Sequence, residues 1–490
     1  MMRNSALGGL SLYFLLAFPG LAAADTNLVY RVSYDLAKPS LVHVAIDAST
    51  AARAPLTLII PRTIPGGYAQ RPYDPFVKNV KGHSANGPDL AVEHDDLGPR
   101  WRIGKSSDKV TRVEYDVDVA QMEREILSAS DSSRIREGYV SLLGYSVFGF
   151  FEGREHEPLR LEVAAPRDWP VFSTLAPHAP ADFAAITEQA ADYYVLADSQ
   201  ITMGPKMQLR KIDGKLPLYL SVYAECEEDL TQEGQIAREA LDQVAAYFGA
   251  AAFAHYTVLL ELLRPVSERH AYNFSMEHLD SGTFYLSTDR AITAQSTAQQ
   301  REIQRFNYAH HMAHSWIPKR TYGTGYLPFQ WEAAPVIDTI WFNEGFARFA
   351  AMEALEDGLP PEEARQYRER HLAALRGILQ EAPQFIRRMP TIELSREGSF
   401  LYSEDFRVGQ NLFARGALMA AAMDDSMRSQ TAGKKRLRDA LRYLLDWSER
   451  NHRGFHIDEL SGIFREATGV DTTSILEQWM KPPVPGRSEK

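Results

Sequence analysis

Two histidines one helical turn apart, His310 and His314, carry the strongest chemical signal in this sequence. They lie in the stretch Gln304-Arg305-Phe306-Asn307-Tyr308-Ala309-His310-His311-Met312-Ala313-His314-Ser315-Trp316. The composition is helical, the segment runs out at Pro318, and Ile303, Phe306, His310 and His314 fall on one face. Imidazoles at i and i+4 can both reach one cation. Zinc takes neutral nitrogen donors of this kind, and a third protein ligand completes a site with one open position. A second segment, Trp341-Phe342-Asn343-Glu344-Gly345-Phe346-Ala347, begins a helix expected to run to about Leu355, with Glu344 on an otherwise apolar side. A carboxylate on a core face needs a partner, because burying it unpaired is costly. Taken singly, the histidines equally fit a packed or exposed pair, and Glu344 a salt-bridged helix residue.

The elements that must position these groups fall into three predicted units plus a leader, the number expected for 490 residues. Residues 1–24 read as a signal peptide: a basic start at Arg3, an apolar run through Leu10, Leu12, Phe14, Leu15 and Leu16, and a small-residue end at Ala22-Ala23-Ala24. The run is interrupted by Gly8, Gly9 and Pro19 and is shorter than a spanning helix needs. A periplasmic or secreted protein with no integral membrane segment after signal cleavage is therefore expected.

Residues 25–225 are predicted to form an all-β, sandwich-like domain, from alternating runs such as Val29–Tyr34, Leu41–Ile46 and Leu56–Ile60 broken by turn residues. Residues 226–359 read as mixed α/β, with a helix over Glu233–Phe248 and strands at Tyr256–Leu260 and Thr283–Ser287. Residues 360–490 are predicted to be α-helical, opened by Pro360-Pro361. The fold class is thus multidomain α+β. A formal charge of −11 argues against nucleic acid as a partner. The basic run Lys434-Lys435-Arg436, continued by Arg438 and Arg442, reads as the solvated face of a helix whose other face carries Leu437, Leu441, Leu444 and Leu445. Cys226 is the single cysteine and has no internal disulfide partner.

Together these segments resemble the glycyl aminopeptidase family of zinc metallopeptidases (peptidase family M-sixty-one), gluzincins whose signature is His-Glu-x-x-His followed by a distant Glu. His310 to His314 with Ser315-Trp316 and Lys319-Arg320 resembles the family's metal helix, and Trp341 to Phe346 its third-ligand segment. Ile60-Pro61-Arg62-Thr63-Ile64-Pro65-Gly66-Gly67-Tyr68 resembles a Pro-Gly-Ser-Tyr segment of its β domain. Met276-Glu277-His278 resembles its Gly-Gly-Leu-Glu-His strand, and Phe413-Ala414-Arg415-Gly416-Ala417-Leu418 its Tyr-x-Lys-Gly-Ala-Leu helix. The resemblance implies a thermolysin-like middle domain, Zn2+ as cofactor, His310, His314 and Glu344 as metal ligands, and Glu277 as the carboxylate that binds a peptide or protein N-terminus.

Two positions depart from the pattern. The residue after the first histidine, which the resemblance makes the glutamate that takes a proton from the attacking water and returns it to the leaving amine, is His311. A general base typically supplies about 10²–10⁴-fold. The tyrosine whose hydroxyl steadies the developing oxyanion is Phe413, and losing such a donor costs about 10²–10³-fold. A metal-binding homologue impaired in hydrolysis is the leading expectation. The alternatives are an active aminopeptidase with altered catalytic residues and a metal-free interaction protein.

Overall fold

The computed structural model describes residues 28–85, 89–175, 185–249 and 253–481. The expected signal peptide over 1–24 lies outside the described residues. Alternation of apolar and polar side chains builds the first part of the chain as predicted. In Leu28–Tyr34, Tyr30, Val32 and Tyr34 point into the core while Arg31 and Ser33 stay half exposed. This strand is central in a six-stranded sheet ordered Ala185–Ala190, Leu159–Ala164, Leu28–Tyr34, Leu41–Arg53, Lys109–Asp118, Val77–His83. Its pairing with Leu159–Ala164 is parallel and its pairing with Leu41–Arg53 antiparallel. Two four-stranded sheets complete the N-terminal β region, one around Leu56–Ile59 and Arg100–Ile103, the other around Tyr139–Leu143 and Gln200–Met203.

A five-stranded mixed sheet follows, ordered Gln208–Ile212, Leu218–Ala224, Tyr256–Leu263, Ser281–Ser287, Asn273–Glu277. It separates the two hydrophobic cores by simple strand periodicity. Leu218, Leu220 and Val222 face the helices, whereas Tyr219 and Tyr223 face the N-terminal sheets. Where those sheets meet it, Arg134 is fully buried and donates to Glu261 at 2.5 Å, and Tyr139 donates to the same carboxylate at 3.0 Å. A buried charge is tolerable only with such pairing.

The helices packed on the other face include Leu230–Phe248, Ala298–Ala313, Ile340–Glu356, Pro361–Glu381, Phe406–Gln430 and Leu437–Asn451. Together they make the predicted multidomain α+β fold. The helix Ile340–Glu356 is enclosed on all sides: of its residues only Arg348 and Glu356 are not buried. It crosses Phe406–Gln430 at Gly345 and Gly416, where a Cβ on either glycine would run into the backbone of the other helix. That close approach brings Glu344 and Phe413 to the same place.

One sequence expectation is corrected. The basic run from Lys434 to Arg442 is not merely a solvated face, since Arg436 donates to the fully buried Glu353 at 2.6 Å and pairs with Asp357 at 2.8 Å. Arg438 also pairs with Asp357, and Arg442 donates to the carbonyls of Tyr247 and Ala246. These arginines tie the C-terminal helices to the middle of the molecule because Glu353, in an otherwise apolar helix, must be neutralised from outside it. No helix among the described residues is long and apolar enough to cross a membrane.

Candidate metal centre

Helix Ala298–Ala313 starts at a capping box in which Thr297 and Gln300 satisfy each other's backbone donors, and His314 is its C-terminal cap residue. His310 and His314 are both buried, and their Nε2 atoms lie 3.3 Å apart. Glu344, likewise buried, brings Oε2 to 3.8 Å from His310 Nε2 and 3.5 Å from His314 Nε2. These three residues form the cluster of potential ligand atoms found among the described residues.

The donor set fits zinc. His314 Nδ1 lies 2.8 Å from the Ile317 carbonyl, which can only accept, so Nδ1 carries the hydrogen and Nε2 offers a lone pair. Two imidazole nitrogens and a carboxylate oxygen converging this closely need a positive charge between them. Zinc bonds of about 2.0–2.1 Å at tetrahedral angles would separate ligand atoms by about 3.3–3.4 Å, close to the spacing of the two nitrogens. The electrostatics agree. Burial would lower the pKa of His314, but the Glu277 and Glu344 carboxylates and the Ile317 carbonyl outweigh it and push it up to about 9. His310 is held well below its ordinary value by burial and by His314. The surrounding carboxylates thus favour positive charge at this pair of imidazoles.

His311 does not join the cluster. Its Nδ1 donates to the Asn307 carbonyl at 2.9 Å, one turn back, and its ring stands edge-on to Phe284. Burial and the neighbouring His314 lower its pKa to about 4. Phe413 stands with its ring 5.5 Å from that of His310, so the position presents hydrocarbon to the metal corner.

Glu277 is buried at the end of strand Asn273–Glu277, which the metal helix touches through Asn307 and Ser275. Its Oε1 has no hydrogen-bond partner among the described residues. Gly66, at φ +93°, lies over this carboxylate, and a Cβ there would overlap Oε1. The next residue of the strand turn, His278, is held by Asp198 at 3.2 Å, which also pairs with Lys319 at 3.0 Å. The Pro65-Gly66-Gly67-Tyr68 turn, the strand and the metal helix are therefore fixed relative to one another.

Three further groups at this corner have no role in the sequence reading. The Tyr68 hydroxyl accepts from Asn343 at 3.1 Å, and burial, then the Glu344 and Glu277 carboxylates, raise its pKa well above the ordinary value. Tyr402 is raised in the same way by burial and by Glu344, and packs 5.8 Å from Phe413. Arg348 lies one turn after Glu344 on the same helix. Only Arg348 carries a sequence signal, a lone charge in the apolar run Phe346-Ala347-Arg348-Phe349-Ala350.

The motif resemblance now has independent support. Residues 29–205 match the Peptidase M61 N-terminal domain. The described fold is aminopeptidase-like. An aminopeptidase N family protein from Idiomarina loihiensis superposes with a TM-score of 0.80 at 20% identity, covering 94% of this chain and 77% of that one. An M1 zinc metallopeptidase from Deinococcus radiodurans, as a mutant bound to a Tyr-Ser-Ala substrate, gives 0.55 at 14% identity over 94% of each chain. Native yeast LTA4 hydrolase gives 0.55 at 12% identity, covering 94% of this chain and 68% of that one. At these identities the likeness is one of fold. No curated protein matches the sequence.

Proposed function

We propose that this protein is an exported metallopeptidase homologue that holds zinc through His310, His314 and Glu344, binds peptide N-termini at Glu277, and is impaired in hydrolysis. One observation carries the reading: three ligand atoms converge with zinc-like spacing while the two flanking positions that should move a proton and donate to an oxyanion hold His311 and Phe413. Zinc, when bound there, would supply positive charge to polarise a carbonyl.

The protein's own groups do the rest. Glu277, buried with an unpartnered oxygen beneath Gly66, is suited to accept from the α-ammonium of a peptide, and a charge-assisted bond is the strong kind. His311 has committed Nδ1 to Asn307, so only Nε2 remains as an acceptor, and an imidazolium there would stand beside a dication. Phe413 offers no donor where negative charge would develop. The cleft retains what recognises a peptide and lacks what cleaves it efficiently. Export rests on the basic, apolar and small-residue pattern of residues 1–24.

The test pairs metal analysis of the purified mature protein with hydrolysis of unblocked dipeptides and amino-acid amides. About one zinc per chain, with activity rising at least about 100-fold only in the His311→Glu, Phe413→Tyr double variant, is the expected outcome. Chelator-sensitive turnover by the unmodified protein would overturn impairment. A second reading, a working peptidase with altered groups, would then rest on Tyr402, whose hydroxyl neighbours Glu344.

A further inference from the structure

Arg348, one turn after Glu344 and drawn by its carboxylate at longer range, is a guanidinium without a direct ion-pair or hydrogen-bond partner among the described residues. Its guanidinium carbon lies 4.9 Å from the Phe306 ring centroid and 5.8 Å from that of Phe413. Both rings border His310: Phe413 at 5.5 Å, and Phe306 nearly parallel to it at 6.4 Å. The cation is thus sandwiched by aromatic faces, an attraction that fixes its position without using its N–H donors.

Those donors are idle. Among the described residues no carboxylate pairs with Arg348 and no acceptor receives a hydrogen bond from it. Every other enclosed arginine nearby is treated differently. Arg436 and Arg368 have carboxylate partners, and Arg415 donates to the carbonyls of Met389 and Ile386. Burial disfavours the charged form of Arg348, yet a guanidinium stays protonated at neutral pH. On the flanking helices Ile303 and Phe406 are exposed by 49% and 51%, and His371, Tyr367 and Tyr402 are the polar groups that face the guanidinium. A five-donor fork held in an aromatic clamp and open to solvent at one side matches a carboxylate.

We propose that Arg348 is the specificity residue of this cleft and receives a carboxylate of the bound peptide. The inference rests on the peptide-holding reading above and narrows it to acidic ligands. Two sources share that chemistry, the side chain of an acidic first residue and the C-terminal carboxylate of a dipeptide.

The zinc-loaded full-length protein would be titrated calorimetrically with Glu-Ala-Ala amide against Gln-Ala-Ala amide, and with Ala-Ala against Ala-Ala amide. The expected result is that at least one acidic peptide binds about tenfold or more tightly than its neutral pair, the scale of one charge-assisted bond. The pair that shows the advantage identifies the source. Arg348→Gln should abolish the difference and Arg348→Lys retain part of it, with zinc content and circular dichroism unchanged. Equal binding within both pairs, an advantage that survives Arg348→Gln, or no binding of any peptide would overturn the assignment. Neutral peptides that bind zinc-dependently without an acidic advantage would sink the role of Arg348 alone, whereas absence of both zinc and peptide binding would sink the underlying reading with it.

Discussion

The helix Ile340–Glu356 carries two buried glutamates that the protein neutralises in opposite ways. Near its C-terminal end, fully buried Glu353 is met by two permanent cations, Arg436 at 2.6 Å and Arg428 in direct contact, and accepts from the Tyr247 hydroxyl at 2.9 Å. Near its start, Glu344 is met by two imidazoles and by the tyrosines Tyr68 and Tyr402. A structural carboxylate receives its counter-charge from the chain itself. One whose neighbours are titratable nitrogens is arranged to receive a cation from solution. Arg348, between the two, is the reverse case, a cation held by aromatic rings with no direct ion pair among the described residues.

The largest expected effect comes from breaking the structural side of this contrast. Glu353→Ala leaves two arginines facing a buried void and should destabilise the fold by about 3–5 kcal/mol, the cost of stranding charge in a buried ion pair. Urea denaturation measures it, and a loss under about 1 kcal/mol would mean that Glu353 is not the neutralised anchor described here.

A third buried glutamate lies between these extremes. Glu233 is met only by neutral donors from the metal helix, Gln304 at 2.8 Å and Tyr308 at 2.7 Å. Burial pushes its pKa up to about 7 despite these bonds. The folded pKa exceeds the unfolded carboxylate value, so the folded state binds more protons. Stability should therefore be full below about pH 4.5, fall as pH rises towards about 7, and stay reduced above it. Glu233→Gln should remove that slope and stabilise the protein at pH 8 by up to about 3 kcal/mol. Parallel pH–stability curves for the two proteins would show the carboxylate to be solvated instead.

Much of the contrast could be read from sequence because it rests on local spacing. His310 and His314 one turn apart, the strand alternation around Tyr30 and Val44, and Glu344 in an apolar helix start all depend on periodicities of 3.6 or 2. What could not be read depends on distant segments meeting. Tyr68 is marked only as the end of a turn that resembles a family segment, and Tyr402, after a C-terminal helix, carries no mark of function until folding brings both to Glu344. Arg436 looked solvated because its helix shows a basic stripe, and its partner Glu353 is 83 residues away. The lone Arg348 was visible as a charge in an apolar run, but its lack of a direct ion pair is a property of the packed structure.

The functional side of the contrast is tested by Glu344→Gln, which keeps shape and one carbonyl oxygen but removes the negative charge. Disturbing a group that only supports a ligand costs 10–100-fold in metal affinity, so replacing a ligand should cost at least about 100-fold, or about 2.8 kcal/mol. Competition against a chelating dye measures it. The chelated variant should lose much less stability than Glu353→Ala does, because the cation that loses its partner, the His314 imidazolium, can give up its proton as an arginine cannot. That second measurement separates the two glutamates: Glu353→Ala should lower stability equally with or without metal, and Glu344→Gln mainly when metal is present. If Glu344→Gln destabilised the metal-free protein as much as Glu353→Ala, then Glu344 would be one more internally neutralised carboxylate and the three-residue cluster would no longer point to a metal.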